Sequence, residues 1–208
     1  MRGNIVAVTG ASGGGKSSFF KILKQIKHDD IWGEGNISFH SKTGEVPELL
    51  MASQKTFLPP YSTLLEIITL KQGDQAREYE SEIIKLMQEI EINANEDSKT
   101  GINLIDRINE KEDWEKILSG GQVQKLAIIR IIWERPEWVL LDEILKGLDP
   151  HSIKIVVGMI AKYLSDTMAI IIDHEFDAHN LDGFYQENLH FANKTAIIGS
   201  LGTECEVS

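Results

Sequence analysis

The chain has 208 residues, of which 42% are hydrophobic and 25% charged, the usual composition of a globular protein with a sizeable core. Its formal net charge of -11 argues against a nucleic-acid-binding surface, because such surfaces carry a basic patch or stripe. A single cysteine, Cys205, excludes an internal disulfide, and no apolar run approaches the roughly 18 residues that cross a bilayer. We therefore expect a soluble chain from a reducing compartment, the cytoplasm.

The N-terminal segment predicts a strand, a glycine-rich turn and a helix in that order. Residues 5–8 form a β-branched run that is typical of a buried strand. Apolar residues recur at helical spacing from Phe19 to Ile26, so a helix is expected to begin near Lys16. The turn between them fits the P-loop pattern, in which four residues separate two glycines and Lys and Ser follow. Its residues are Gly10, Ala11, Ser12, Gly13, Gly14, Gly15, Lys16 and Ser17, and Ser18 comes next.

A P-loop binds phosphate through its backbone. Glycines allow the N–H groups to surround the anion without a Cβ clash, and the helix that follows presents its N-terminal dipole. The pattern predicts that Lys16 contacts the β- and γ-phosphates of ATP and that the Ser17 hydroxyl ligates magnesium. The alternative is a flexible glycine loop with a surface lysine, which the strand before it and the helix after it make a poor explanation.

The rest of the chain predicts an α/β fold with a helical insertion. Further strands are expected at 36–39, 49–52, 138–141 and 168–172, helices at 62–70, 75–92, 119–133 and 153–164, a polar loop at 93–100, and a hairpin at 188–200. Strand and helix alternate at both ends, whereas the middle is mostly helical. We therefore predict one domain, with a core at about 1–58 and 136–208 and a helical subdomain at about 59–135.

Two motifs together identify a family resemblance. The string Leu118-Ser119-Gly120-Gly121-Gln122, downstream of the P-loop, resembles the signature of the ATP-binding domain of the ABC family. This resemblance implies a P-loop NTPase core, a mixed sheet flanked by helices, with an inserted helical subdomain. It also implies an ATP hydrolase that uses ATP and Mg²⁺ and drives substrate movement across a membrane.

The resemblance assigns roles to four further residues besides Lys16. Asp142 resembles the Walker B aspartate, which holds magnesium through water, and Glu143 resembles the general base that polarises the attacking water. Gln54 resembles the Q-loop glutamine, which approaches magnesium, and His174 resembles the switch histidine at the γ-phosphate. Each of these residues in isolation also suits an ordinary turn or surface position, so their order relative to the two motifs carries the assignment.

The signature also implies a dimer. A helix that begins at Ser119 offers a hydroxyl and unpaired N–H groups to an anion. In the family, Ser119, Gly120, Gly121 and Gln122 of one subunit would close over the P-loop of another, with Asp149 as the D-loop aspartate at the interface. The expected partners are a second nucleotide-binding domain, arranged head to tail, and a transmembrane domain, with no nucleic acid. The domain would lie peripherally on the cytoplasmic side of a membrane.

Local strings refine the resemblance and mark departures from it. Residues 32–37, 54–60 with Thr63-Leu64, and Asp113-Trp114 resemble the D subfamily of half-transporters and its bacterial relatives. Only nine residues precede Gly10, so the adenine-stacking aromatic and its strand, and the membrane domain, are expected to be missing, as in an excised domain with weak adenine binding. Residues 144–147 replace the family's usual small residues, which we expect to slow turnover.

Two other classes of protein compete with a transporter domain. One is a soluble ABC-type ATPase that acts on DNA or ribosomes; the other is a truncated, weakly hydrolysing nucleotide-binding module. DNA-repair members carry long coiled-coil insertions and translation factors carry two ATPase domains, whereas this chain has a modest helical lobe and one P-loop. The sequence therefore favours a transporter.

Overall fold

A mixed sheet forms the framework of one part of the molecule. The structure is a computed structural model. It describes residues 5–11, 13–23, 49–53, 56–93, 103–172, 184, 187–192 and 195–200. The strands predicted from the sequence within these ranges are present, and the one expected at 36–39 lies outside them.

The described strands form one six-stranded sheet in the order β2-β3-β4-β1-β5-β6. They are β1 (Ile5–Gly10), β2 (Leu49–Ser53), β3 (Trp138–Asp142), β4 (Met168–Ile172), β5 (Glu187–Ala192) and β6 (Thr195–Ser200). Pairing is parallel throughout except between β5 and β6, which form the antiparallel hairpin that the sequence predicted. The fold class, a mixed α/β sheet flanked by helices, is thereby confirmed.

The strand register brings the chemically important segments to one edge of the sheet. Asp142 of β3 pairs with Ile172 of β4, and Ile172 in turn pairs with Val8 of β1. The carboxyl ends of these parallel strands therefore meet at one edge, where the P-loop begins at Gly10. Strands lie about 4.8 Å apart, so β1 and β3 are separated by about 10 Å.

Helix α1 (Lys16–Leu23) is held against the sheet by apolar packing. Phe20 and Leu23 on the helix pack with Val8, Leu140 and Ile172 on three strands, and all five side chains are buried. Complete burial of such side chains contributes about 1.5–3 kcal/mol each. This packing fixes where the first turn of α1 lies relative to the end of β1.

The remaining helices are short except for two. They are α2 (Leu64–Thr69), α3 (Asp74–Arg77), α4 (Glu80–Glu89), α5 (Trp114–Ile117), α6 (Gly120–Glu134) and α7 (Pro150–Tyr163). The single helix predicted at 75–92 is wrong in one respect, because a turn divides it into α3 and α4. At that turn the Tyr79 N–H donates to the Ala76 carbonyl, three residues back, and the Tyr79 ring meets Trp133 edge-on with 4.6 Å between centroids.

The chain divides into two compact units. The first contains Met1–Ser53, Pro136–Lys146 and Ser165–Ser208, and the second contains Gln54–Arg135 and Gly147–Leu164. The helical subdomain expected from the sequence, 59–135, did not include the segment Gly147–Leu164, whose helix α7 packs against α6.

Trp114 anchors the interior of the second unit. Its side chain is fully buried, and its indole N–H donates to the Ser62 carbonyl at 2.7 Å, so the ring satisfies its polar atom without water. Leu65, Ile83 and Met87 are likewise fully buried in this unit. Across the described residues, no helix has the length and apolarity needed to span a membrane.

Candidate nucleotide site

The turn between β1 and α1 has a backbone that glycine makes possible. Gly10, Gly13 and Gly15 have φ angles of 124°, 77° and 104°. These values lie in the region that residues with a Cβ rarely adopt. A Cβ at Gly13 would meet nothing within 4 Å, so the φ angle, not lack of space, is the reason for glycine there. The Gly14 N–H donates to the Ala11 carbonyl at 3.1 Å and closes the turn.

Lys16 is folded into this turn. Its side chain is 3% exposed, and Nζ donates to the Gly10 carbonyl at 2.5 Å and the Ala11 carbonyl at 2.8 Å. Burial lowers the pKa of Lys16, and the negative charge of Glu143 acts against that shift. A buried ammonium next to backbone carbonyls is therefore in place at the mouth of the loop, where it can exchange those acceptors for phosphate oxygens.

Two oxygen donors suit magnesium at this edge of the sheet. Ser17 lies exposed on the first turn of α1, and Asp142 is half-buried at the end of β3. Hard oxygen ligands, few in number and completed by water and phosphate, are what Mg²⁺ prefers. No group of three or more His, Cys, Asp or Glu side chains that could enclose a metal occurs in the part of the chain that the structure describes. The residues present fit a magnesium ion that arrives with its nucleotide.

Glu143 lies one residue beyond β3 in a constrained conformation. Its φ angle is 53°, and its backbone N–H donates to the Ile172 carbonyl at 3.1 Å, which ties it to β4. Its carboxylate accepts a hydrogen bond from Lys146 Nζ, with 2.8 Å between Nζ and Oε2. Sequence reasoning noted Lys146 as a departure from the family but missed this contact, for which the three-residue spacing of the two charges was the available signal.

The signature segment begins α6 with a reciprocal cap. Ser119 Oγ accepts from the Gln122 N–H at 3.3 Å, and Gln122 Oε1 accepts from the Ser119 N–H at 3.0 Å. This capping box satisfies two N–H groups at the helix start. Leu118 and Gln122 are buried, Ser119 and Gly121 are half-buried, and Gly120 is exposed. The segment 119–121 therefore opens to solvent from its own unit, and the Gln122 side chain points back into the cap.

Asp149 begins α7 in a similar way. Its carboxylate accepts from the N–H groups of His151 and Ser152, both at 3.0 Å. Hydrogen bonding by Ser152, aided by the His151 N–H, lowers the pKa of Asp149 to about 2. The predicted D-loop carboxylate is exposed and stays ionised at every physiological pH.

Lys125 is a buried cation that sequence reasoning missed. It is 1% exposed on α6, and its Nζ donates to the Glu91 carbonyl at 3.0 Å just beyond α4. Burial lowers the pKa of Lys125, and the negative charges of Asp149 and Glu91 act in the opposite direction. Lys125 thus links the signature helix electrostatically to the residue that caps α7. Its signal in the sequence was a lysine directly before the apolar run at 126–129.

Three of the predicted site residues, Ser12, Gln54 and His174, lie outside the described residues, and their roles stay predictions. The others fall into two groups. The P-loop, Asp142 and Glu143 belong to the first unit, and Ser119, Gly120, Gly121, Gln122 and Asp149 belong to the second.

Comparison with known proteins agrees with these motifs. The ABC transporter family profile matches residues 1–146. An aliphatic sulfonates import ATP-binding protein (SsuB 1) of Burkholderia cenocepacia is 29% identical over 148 residues, which are 71% of this chain and 40% of that protein. The arginine transport ATP-binding protein ArtM of Bacillus subtilis is 28% identical over 183 residues, 83% of this chain and 70% of that protein. The chain thus spans about 40% of the length of the sulfonate import relatives.

Solved structures share the fold. The ATP-binding cassette MJ0796, in a dimeric post-hydrolysis state bound to ADP and Pi, aligns with a TM-score of 0.69 at 20% identity and covers 97% of this chain and 87% of its own. An inward-facing metal-chelate type ABC transporter aligns with a TM-score of 0.65 at 20% identity and covers 96% of this chain and 72% of its own. The finer likeness to the D subfamily stays a prediction. On its P-loop, its signature and the family match across most of its length, this chain belongs to the ABC transporter family.

Proposed function

We propose that this chain binds ATP with Mg²⁺ and hydrolyses it, and that hydrolysis drives substrate movement across a membrane. The observation that carries the proposal is the buried ammonium of Lys16 within a positive-φ glycine turn, in the same unit as Glu143. A site with that cation, that backbone and a carboxylate is suited to phosphoryl transfer, which depends mainly on positioning and charge neutralisation.

The P-loop supplies the binding. Backbone N–H groups of the turn and the start of α1 would surround the phosphates, and Lys16 would move its hydrogen bonds from the Gly10 and Ala11 carbonyls to phosphate oxygens. Ser17 and Asp142 would hold magnesium, which when bound neutralises charge on the phosphate oxygens. Gln54 would complete this set.

Glu143 supplies the base. Its carboxylate would accept a proton from the attacking water, while Lys16 and His174 stabilise the charge on the γ-phosphate oxygens. The Glu143 backbone is tied to β4 by the Ile172 carbonyl, so the position of the carboxylate is set by the sheet edge.

A second nucleotide-binding domain is the proposed partner across the nucleotide. The partial exposure of the segment 119–121 supports it, because a helix start that reaches solvent is accessible to the phosphate bound to another copy. The dimeric state named for the MJ0796 cassette supports the same arrangement. Asp149, exposed and ionised, would lie at that interface.

A transmembrane domain is the second proposed partner. The relatives SsuB and ArtM are named as import and transport ATP-binding proteins. In the second unit Phe57 and Tyr61 each expose 77% of their surface, so both aromatic side chains are accessible to another protein.

The test is Glu143→Gln. Loss of the proton acceptor should lower the rate of phosphate release by about 10²- to 10³-fold and leave ATP affinity unchanged, since the P-loop is intact. Phosphate release and isothermal titration give the two quantities. Glu115→Gln, on the exposed surface of α5, is the matched control and should change neither. An unchanged hydrolysis rate in Glu143→Gln would contradict the assignment of the base.

A further inference from the structure

The carboxylate of Glu143, the base in the proposed function, forms an ion pair with Lys146. Lys146 Nζ lies 2.8 Å from Glu143 Oε2. The same two residues are joined through the backbone, where the Lys146 N–H donates to the Glu143 carbonyl at 3.1 Å. Both contacts belong to one tight turn, and the turn places the Lys146 side chain next to the Glu143 carboxylate. A charge-assisted hydrogen bond of this length engages one of the two carboxylate oxygens.

The two partners differ in exposure, and the difference indicates which one is held. The Glu143 side chain is 20% exposed, whereas that of Lys146 is 50% exposed. Glu143 is also tied to β4 through its N–H, so the carboxylate is the fixed partner and the ammonium is the one that can leave. Lys146 is therefore the more exposed partner and is not a buried structural cation.

We propose that Lys146 is a positioning residue that restrains Glu143 and slows ATP hydrolysis, an inference that rests on the proposed function. In the step concerned, a lone pair of the water oxygen forms a bond to the γ-phosphorus and the bond from that phosphorus to the β,γ-bridging oxygen breaks. ADP leaves with the electron pair of that bond, and a proton of the water passes to a carboxylate oxygen of Glu143. The products are ADP and phosphate.

The direction of the effect follows from where the charge is. The Glu143 carboxylate accepts a proton in the step, and the Lys146 ammonium 2.8 Å away stabilises the carboxylate before the transfer more than it stabilises the transition state. ATP binding uses the P-loop and not this pair. Removing the ammonium is therefore expected to raise kcat and leave KM for ATP unchanged.

The experiment compares Lys146→Met with Lys146→Arg in the full chain. Methionine keeps the length of the stem without the charge, and we expect kcat to rise about two- to fivefold, the range typical of a partly exposed pair, with KM unchanged. Arginine keeps the charge and should retain the slow rate of the parent chain. Lys162→Met is the matched control, because Lys162 on α7 forms a similar ion pair, 2.7 Å from Glu89 on α4. The kcat of this variant should equal that of the parent chain.

The Glu143→Gln background separates this inference from the proposed function. There, Lys146→Met should have no effect on the residual rate, because the charge on which Lys146 acts is gone. If Glu143→Gln lowers hydrolysis but Lys146→Met leaves kcat unchanged or lowers it, Lys146 is not a restraint and the proposed function stands. If Glu143→Gln itself has no effect, both fall together.

A second measurement reports on the pair without hydrolysis. An amine-reactive label, read by mass spectrometry, should modify Lys146 faster in Glu143→Gln than in the parent chain, since its ion pair with the Glu143 carboxylate is lost. Lys162 serves as the internal reference, with equal labelling in both chains. Equal labelling of Lys146 would show that the pair does not hold in solution and would overturn the proposal.

Discussion

Two helix starts in this molecule carry the motifs for which we propose phosphate contacts, and they are built differently. At α1, glycines with positive φ and the folded-in ammonium of Lys16 form the approach to the helix. At α6, the chain caps itself, because Ser119 and Gln122 satisfy each other's N–H groups. The first start depends on backbone conformations that glycine allows and on a buried charge, whereas the second is completed by neutral side chains.

The two helix starts are expected to affect different properties, nucleotide binding at α1 and folding stability at α6. In the proposed function, a helix start that carries a buried cation gains most when an anion arrives, because the ammonium would exchange carbonyls for phosphate oxygens. A helix start with its own capping box is stable without a ligand. We therefore expect substitutions at α1 to change nucleotide affinity first, and substitutions at α6 to change the free energy of unfolding and the association with a second copy.

The largest expected effect is at Lys16. Lys16→Ala removes the charge-assisted hydrogen bonds to phosphate and should weaken ATP binding at least about a hundredfold, as isothermal titration would measure. Lys21→Ala, in the last turn of the same helix, is the matched control and should bind like the parent chain. If Lys16→Ala retained the ATP affinity of the parent chain, the proposal that the start of α1 binds the nucleotide through Lys16 would be wrong.

A smaller effect is expected at the signature cap. Ser119→Ala removes the oxygen that accepts the Gln122 N–H and should lower the free energy of unfolding by about 1 kcal/mol in denaturant titration. It should also abolish ATP-dependent dimerisation of the Glu143→Gln chain, measured by sedimentation. Ser119→Thr keeps a hydroxyl and should preserve both properties. Dimerisation that survives in Ser119→Ala would argue against the signature facing a second nucleotide.

The smallest effect concerns pH and the cap of α7. The pKa of Asp149 is lowered from 3.8 to about 2, so its contribution to stability is complete above the unfolded value and is lost as the pH falls through the folded value. Asp149→Asn should match the parent chain near pH 7, because asparagine is also a good cap, and should lose less stability between about pH 5 and pH 2. The exposed site limits the difference to about 0.5–1 kcal/mol. Thermal unfolding at both pH values measures this difference in stability. If stability fell equally with pH in the two chains, the lowered pKa of Asp149 would be contradicted.

Strong local patterns allowed much of the fold to be predicted. The strand, glycine turn and helix from Ile5 to Leu23 were predicted because β-branched runs, glycines and helical spacing are signals that neighbouring residues carry. The break between α3 and α4 was not predicted; at this turn the Tyr79 ring meets Trp133, more than fifty positions away along the chain. The family motifs gave the candidate residues, but the sequence did not show the distances or contacts between them.

Contacts between side chains were missed for a different reason. Lys146 could be recognised as unusual, but its pairing with Glu143 depends on the turn that the backbone makes after β3. Lys125 resembled one more polar position on a helix, and only the packing of the helical unit buries it against the Glu91 carbonyl. Burial and charge pairing are set by residues distant along the chain, which a local pattern does not record.

The sequence by itself determined the family, the P-loop, the signature and most strands and helices, because glycine at positive φ and apolar periodicity are local requirements that leave a local trace. Only the tertiary structure decided that Asp142, Ile172 and Val8 share one sheet edge, and that α7 joins the helical unit. Tertiary structure also decided that the ammonium of Lys16 is buried and that Glu143 is paired. Strand order and burial depend on which distant surfaces exclude water together, and that is a property of the folded chain as a whole.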